Sequence, residues 1–322
     1  MNPIKASSLL HFTPTSNGLR GILRNGFRFS YVFEYYPREV IYNELYPEKP
    51  VELCLWNKSL IGVAMPMICF CDTPLTRAYS HAKKYGEYII GIDKNVAITL
   101  YHGMLNPVHY YTSDKIYSAL VDLSILKTFS KSNTNKTNIQ YPITDNGYKI
   151  KKVAQHIETN EEKYIFSQNA IESINCLFSL IKPYRGYDLS GKEVCYYDEQ
   201  EWRIFIIDGE AEENKWIWDF GEKQFCSVND FKKWIAPQNK ILYESQYAYL
   251  PITEEFPVEL LSKLITHIVV KKEYQIPNLV NALLSTERIF GVDLQKGNKQ
   301  HDEFRSLLIS RISSFERIEN DY

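Results

Sequence analysis

The chain has 322 residues, 44% of them hydrophobic and 24% charged. That is enough apolar material for a substantial core, and it excludes a disordered chain. A formal net charge of -2 gives no global drive toward nucleic acid or a membrane surface. No apolar run approaches the roughly 18 residues of a membrane span, and Met1-Asn2-Pro3-Ile4-Lys5 leads into no signal-peptide core. Six cysteines (Cys54, Cys69, Cys71, Cys176, Cys195 and Cys226) are scattered, as reduced thiols of a cytoplasmic protein would be. Cys69 and Cys71 share a strand face, but no second pair stands at metal-ligand spacing, so no metal site is predicted. The 24 tyrosines suit a cleft or an interface, and equally half-buried strand positions.

In chain order, Ser7 to Thr13 predicts a short strand. A helix over Thr15 to Arg24 follows, capped by Thr15, Ser16 or Asn17. Leu19, Ile22 and Leu23 line one face of it, and Asn25-Gly26 stops it. Phe27 to Tyr36 is aromatic-rich and reads as strand or irregular chain. Ala64 to Cys71 is nearly continuous in apolar residues, as in a strand buried on both faces, with Pro66 placing its start near an edge or bulge. Asp72-Thr73-Pro74 predicts a helix start. Leu75, Ala78, Tyr79 and Ala82 then share a face, and Gly86 ends the helix. Glu87 to Asp93 predicts another strand. Residues 105–165 read as an insertion whose stretch from Lys131 to Asn138 is a polar loop. Further on, helices are predicted over Asn169 to Lys182, Val258 to Leu264, Ile276 to Leu284 and Glu303 to Glu316, with Asp302 helping to cap the last. Strands are predicted over Trp202 to Ile207 and Ile265 to Lys271. The expected architecture is a single α+β domain over 1–322, a mixed central sheet flanked by helices, closing in a helical segment at about 275–322.

Two polar residues carry the chemical question. In a strand, Leu9, His11 and Thr13 face one way and Leu10 and Phe12 the other. His11 and Thr13 would then form a polar edge able to hydrogen-bond ribose hydroxyls; alternatively, His11 is a core histidine satisfied by a backbone carbonyl. Glu201 and Arg203 share a face of their strand, with Trp202 and Ile204 on the other. A glutamate beside a sugar stabilises positive charge developing at the anomeric carbon; alternatively, Glu201 simply pairs with Arg203, which could itself take a phosphate. Arg77 and His81 are four apart on the predicted helix, closer than the pair of HEPN-type ribonucleases. No P-loop, Gly-x-Gly-x-x-Gly, Gly-x-Ser-x-Gly or His-Glu-x-x-His motif is present.

Leu10-His11-Phe12-Thr13 with Leu19, Ile22-Leu23 and Gly26 resembles the opening of AbiGi-type abortive phage-resistance proteins. The run from Ala64 to Leu75, with His81 and Tyr85-Gly86, is similar to that family's middle motif. Lys182-Pro183-Tyr184 and Tyr197-x-x-x-Glu201-Trp202-Arg203 resemble its later motif. Such proteins are labelled antitoxins of two-gene abortive-infection systems, which implies a cognate toxin, or the product of a neighbouring gene, as partner. More distantly, the order His-x-Thr, strand–helix, strand glutamate resembles ADP-ribosyltransferases of the DarT type. That resemblance implies NAD as cofactor, Glu201 and His11 as catalytic residues, His11 and Thr13 at the NAD ribose, Tyr79 or Tyr85 on the nicotinamide, and Arg77 and Arg203 among the cofactor-binding groups. His11 and Glu201 would then have to face one cleft.

Overall fold

The computed structural model describes residues 6–35, 62–101, 104–112, 180–187, 192–205, 223–225, 228–244, 249–250 and 257–321. The predicted polar loop at Lys131 to Asn138 and most of the 105–165 insertion lie outside these residues, as does all but the end of the helix expected from Asn169.

The elements run β1 (Ser8–Thr13), α1 (Ser16–Asn25), β2 (Ser30–Tyr35), β3 (Gly62–Cys71), a 3-10 turn (Leu75–Arg77), α2 (Tyr79–Tyr85), β4 (Tyr88–Asp93) and α3 (Lys94–Leu100). Short strands β5 (Leu105–Pro107), β6 (His109–Tyr111), β7 (Ile181–Pro183), β8 (Arg185–Tyr187) and β9 (Glu193–Cys195) precede a second 3-10 turn (Tyr196–Glu199), β10 (Glu201–Phe205) and β11 (Lys223–Phe225). The remainder is α4 (Val228–Glu244), α5 (Pro257–Leu264), β12 (Ile265–Val270), α6 (Ile276–Ser285), β13 (Arg288–Ile289), β14 (Val292–Asp293), α7 (Lys299–Ser310), β15 (Ile312–Ser314) and α8 (Phe315–Asp321).

Among the described residues nine strands form one sheet, in the order β15-β12-β4-β1-β3-β10-β5, with β2 and β11 also on β3. The β12–β15 pair is parallel, whereas β3 pairs antiparallel with β1, β2, β10 and β11. The sheet is therefore mixed and the class α+β, as the sequence predicts. Its two faces follow from strand alternation. Leu9, Ile68, Phe70, Ile90, Ile92 and Ile204 point to one face, where they pack with Leu19, Ile22 and Leu23 of α1 and with α5, α6 and α7 in the main core. Leu10, Ile89 and Val269 point to the other, under Ala78 and Ala82 beside and within α2 and Phe315 of α8.

Local chemistry sets the boundaries. Thr15 caps α1 by accepting from the Gly18 N–H at 3.0 Å, and Gly26, at φ 89°, closes it. Pro66 sits inside β3 rather than at its start. On the side of β10 and β11, the register runs to Ala64 with β11 and resumes at Met67 with β10. Pro66 thus falls where the ladder is already broken and its missing N–H costs little.

Two expectations at the C-terminal end are corrected. The helix expected over Glu303 to Glu316 is two helices with β15 between them. Ile312–Ser314 pairs with the open edge of β12, and Arg311 Nη1 donates to the Ser262 carbonyl at 2.7 Å and to that of Ile265. Helical periodicity yields there to a sheet edge that needs covering. Asn298, not Asp302, caps α7, accepting from Gln300 N–H at 3.0 Å. The final segment accordingly carries a sheet strand as well as helices. No helix among the described residues is long and apolar enough to cross a membrane.

Gly86 ends α2 at φ 122°, a backbone region open to glycine alone at low cost. A Cβ there would overlap the Thr13 carbonyl and the Pro14 backbone. Gly86→Ala is expected to destabilise the protein by about 2 kcal/mol or more, read as a lowered urea midpoint; an unchanged midpoint would contradict this packing.

Candidate functional site

Strands β3 and β10 bring the site together. Glu201 lies opposite Cys71 and Arg203 opposite Cys69, so both side chains share the α2 face of the sheet with the two cysteines. Before β10 the 3-10 turn ends at Gln200, whose left-handed backbone (φ 42°) is uncommon for a non-glycine residue. This reversal lets the carboxylates of Glu199 and Glu201 reach one ammonium. Lys182 of β7 donates to Glu199 Oε2 at 2.8 Å and to Glu201 Oε2 at 3.0 Å. Arg203 adds a forked contact, Nε to Glu201 Oε1 at 2.8 Å and Nη2 to Oε2 at 2.9 Å. Lys84 Nζ and the Tyr85 hydroxyl both donate to Glu199 Oε1. The Glu201 backbone N–H donates to the Tyr110 hydroxyl at 2.9 Å, and Lys182 Nζ stands 4.3 Å over the Tyr196 ring.

Glu199, Glu201, Lys182 and Arg203 are all buried, Arg203 with no exposed surface. Burial acts to raise the pKa of Glu201, but Arg203 and Lys182 outweigh it and hold the carboxyl well below the usual range. Glu199 is likewise lowered, burial being outweighed chiefly by Lys182 and Lys84. Both remain carboxylates. Burial, with the neighbouring carboxylates, pushes the Cys71 thiol up, so it stays protonated and unreactive.

His11 stands elsewhere. It points to the opposite face, between Phe27 and Phe70 at ring-centroid distances of 5.2 and 5.7 Å. Its Nδ1–H donates to the Cys69 carbonyl at 2.8 Å. Only Leu10 and Cys71 are in register between β1 and β3, and the imidazole takes up a carbonyl beyond that pair. Burial lowers its pKa against the opposing pull of this hydrogen bond, so the ring is neutral at physiological pH. This is the core histidine on a backbone carbonyl, and Glu201–Arg203 is the strand pair, that the sequence left open as alternatives. Thr13 shares the His11 face, buried with its hydroxyl against Gly18. The structure does not bring His11 and Glu201 into one cleft; they face opposite sides of the sheet.

The remaining candidates divide. Tyr85 and Arg203 belong to the ionic network. Tyr79 is turned away from it, its ring parallel to Phe315 at 6.1 Å and covered by Lys83 Nζ at 3.9 Å. Arg77 lines a polar cleft of about 650 Å³ with Asp72, Thr73, His81, Tyr197 and Asp198 among its walls. There Lys94 is tied to Asp72, and the buried ring of His81 lies stacked near Phe12 at 5.9 Å. Sequence reasoning missed the network roles of Lys84, Tyr110 and Lys182. Lys182 read as the end of a helix, whereas it is in a strand. The one available signal was the resemblance itself, since Lys182-Pro183-Tyr184 and Tyr197 to Arg203, quoted as separate motifs, meet here with Tyr85.

A family model described as "Putative abortive phage resistance protein AbiGi, antitoxin" matches residues 41–232. That stretch holds the whole ionic network and the Arg77 wall of the cleft, and leaves His11 and Thr13 outside. The chain is also similar to "Abortive phage resistance protein AbiGi" of Lactococcus lactis subsp. cremoris, at 24% identity over 302 residues, covering 89% of this chain and 98% of that protein. No solved structure matches the chain. These comparisons carry the AbiGi part of the resemblance and do not bear on the ADP-ribosyltransferase part.

Arg203→Met would leave Glu201 buried with its forked partner gone and is expected to cost about 3–5 kcal/mol in urea unfolding. Less than about 1 kcal/mol would contradict the network. Because the folded pKa values of Glu199 and Glu201 lie below the unfolded value of about 4.3, their contribution is complete above that pH. It is lost as pH falls through the depressed folded values. Stability of the wild type should therefore fall steeply below about pH 4, and more shallowly in Glu201→Gln; equal slopes would show that Glu201 titrates normally in the folded state.

Proposed function

Since the chain belongs to the AbiGi family of abortive phage resistance proteins, we propose that it is the antitoxin-type component of a two-gene defence system. On this reading it acts by binding a cognate toxin, the product of a neighbouring gene. The observation that supports binding over group transfer is the placement of His11 and Glu201 on opposite faces of the sheet. The Glu201 carboxylate is also committed: Arg203 and Lys182 occupy both of its oxygens. A glutamate that stabilises an oxocarbenium-like centre has to present an oxygen to the sugar. Doing so here would strip a buried carboxylate of its partners, at a cost of several kcal/mol. Exposed tyrosines, among them Tyr79, Tyr197 and Tyr274, offer the flat amphipathic area that interfaces favour.

Co-expression with the neighbouring gene, followed by size-exclusion chromatography, is expected to recover one complex; a monodisperse monomer with no partner would contradict the reading. With labelled NAD and cell extract, wild type and Glu201→Gln are expected to be equally unlabelled. Label carried by the wild type and lost in a folded Glu201→Gln variant would overturn binding in favour of NAD-dependent transfer.

A further inference from the structure

The polar cleft beside the 3-10 turn before α2 lies outside the ionic network, and of the exposed tyrosines Tyr79, Tyr197 and Tyr274 it is lined by Tyr197 alone. Its volume, about 650 Å³, lies in the middle of the range that small-molecule sites occupy. Three of its walls differ in chemistry. Arg77 is exposed and takes part in no ion pair among the described residues, whereas the other cation of the lining, Lys94, is tied to Asp72. Tyr197 is 45% exposed. Tyr184 stacks on it at 5.2 Å and Tyr110 meets it at nearly a right angle at 5.5 Å, so two neighbours brace a ring that still lines the cleft. Asp198 is exposed beside it, and its carboxylate has no ion-pair partner among the described residues. The hydroxyl-bearing Thr73 and Ser80 complete the polar lining.

A guanidinium suits a phosphate, a braced exposed aromatic ring suits the face of a base, and a carboxylate accepts from sugar hydroxyls. We propose that this cleft binds a phosphate-bearing nucleotide, with Arg77 on the phosphate, Tyr197 under the base and Asp198 at the sugar. The left-handed Gln200, also in the lining, sets Tyr197 and Asp198 on the cleft side while Glu199 and Glu201 turn into the network. A ligand there would rest on the same turn that the network holds.

Ligand binding is read on the full chain alone, so failure of the partner complex and failure of this site are separate results. Calorimetric titration would use 5′-AMP, NAD and inorganic pyrophosphate against wild type, Arg77→Ala and Tyr197→Leu, with thermal melts to check that each variant is folded. AMP or NAD is expected to bind, and Arg77→Ala to weaken that binding about tenfold or more. Tyr197→Leu should weaken both nucleotides and leave pyrophosphate unchanged. Tighter binding of NAD than of AMP would identify a dinucleotide, and the reverse a mononucleotide; either order retains the proposal. No binding of either nucleotide, or binding that a folded Arg77→Ala variant leaves unchanged, would overturn it, as would pyrophosphate binding as tightly as AMP.

Discussion

The buried pairing of Glu201 with Arg203 and Lys182 is the constraint on which the arrangement around β3 and β10 depends. Buried ion pairs are poor evidence of net stability, because desolvation offsets most of their Coulombic gain. Their effect here is on register. Glu201 and Arg203 point to the α2 face, and Trp202 and Ile204 to the main core. A slip of β10 by one residue would drive two charges into the apolar core and two apolar side chains into the ionic network. Forked guanidinium geometry and the Lys182 bridge add directional requirements that hydrophobic packing alone does not impose. Through Lys182 the network also fixes β7, and through Lys84 and Tyr85 it fixes the end of α2.

That end of α2 is also where the chain returns to the sheet. Gly86 passes so close to the Thr13 backbone that no side chain fits, and α2 lays Ala82 on the apolar cluster beneath it. The small residues allow close approach, and the charged residues at the end of the helix then meet Glu199. Packing and electrostatics therefore act on the same short helix, and the cleft lined by Arg77 lies next to it.

Much of this was legible in the chain. Alternation along β1 and β10 gave the correct faces for Leu9, His11, Thr13, Glu201 and Arg203, because period-2 geometry is local. Thr15, Gly26 and Gly86 marked their boundaries through cap chemistry and glycine backbone freedom. The role of His11 was legible only as a pair of alternatives, since which side of the sheet faces the core is a tertiary matter. Lys182 was not legible: an apolar run ahead of it reads as helix, and its placement in β7 depends on pairing with β6. Nor was β15, whose short Ile312–Ser314 segment is a strand because β12 offers it an edge. The later AbiGi-like motifs, separate in sequence, gained physical meaning only when Lys182, Glu199, Glu201 and Arg203 were seen to share one buried network.

The central claim is that Glu201 is a permanently ionised structural hub rather than a group poised for chemistry. Side-chain carboxyl chemical shifts of glutamate-labelled protein, followed by NMR through an acid titration, test it most directly. The account predicts that the Glu201 resonance stays that of a carboxylate well below pH 4.3, the ordinary glutamate value, and moves only as the protein unfolds. A Glu201 resonance titrating in the native state at or above about pH 4.3 would contradict it.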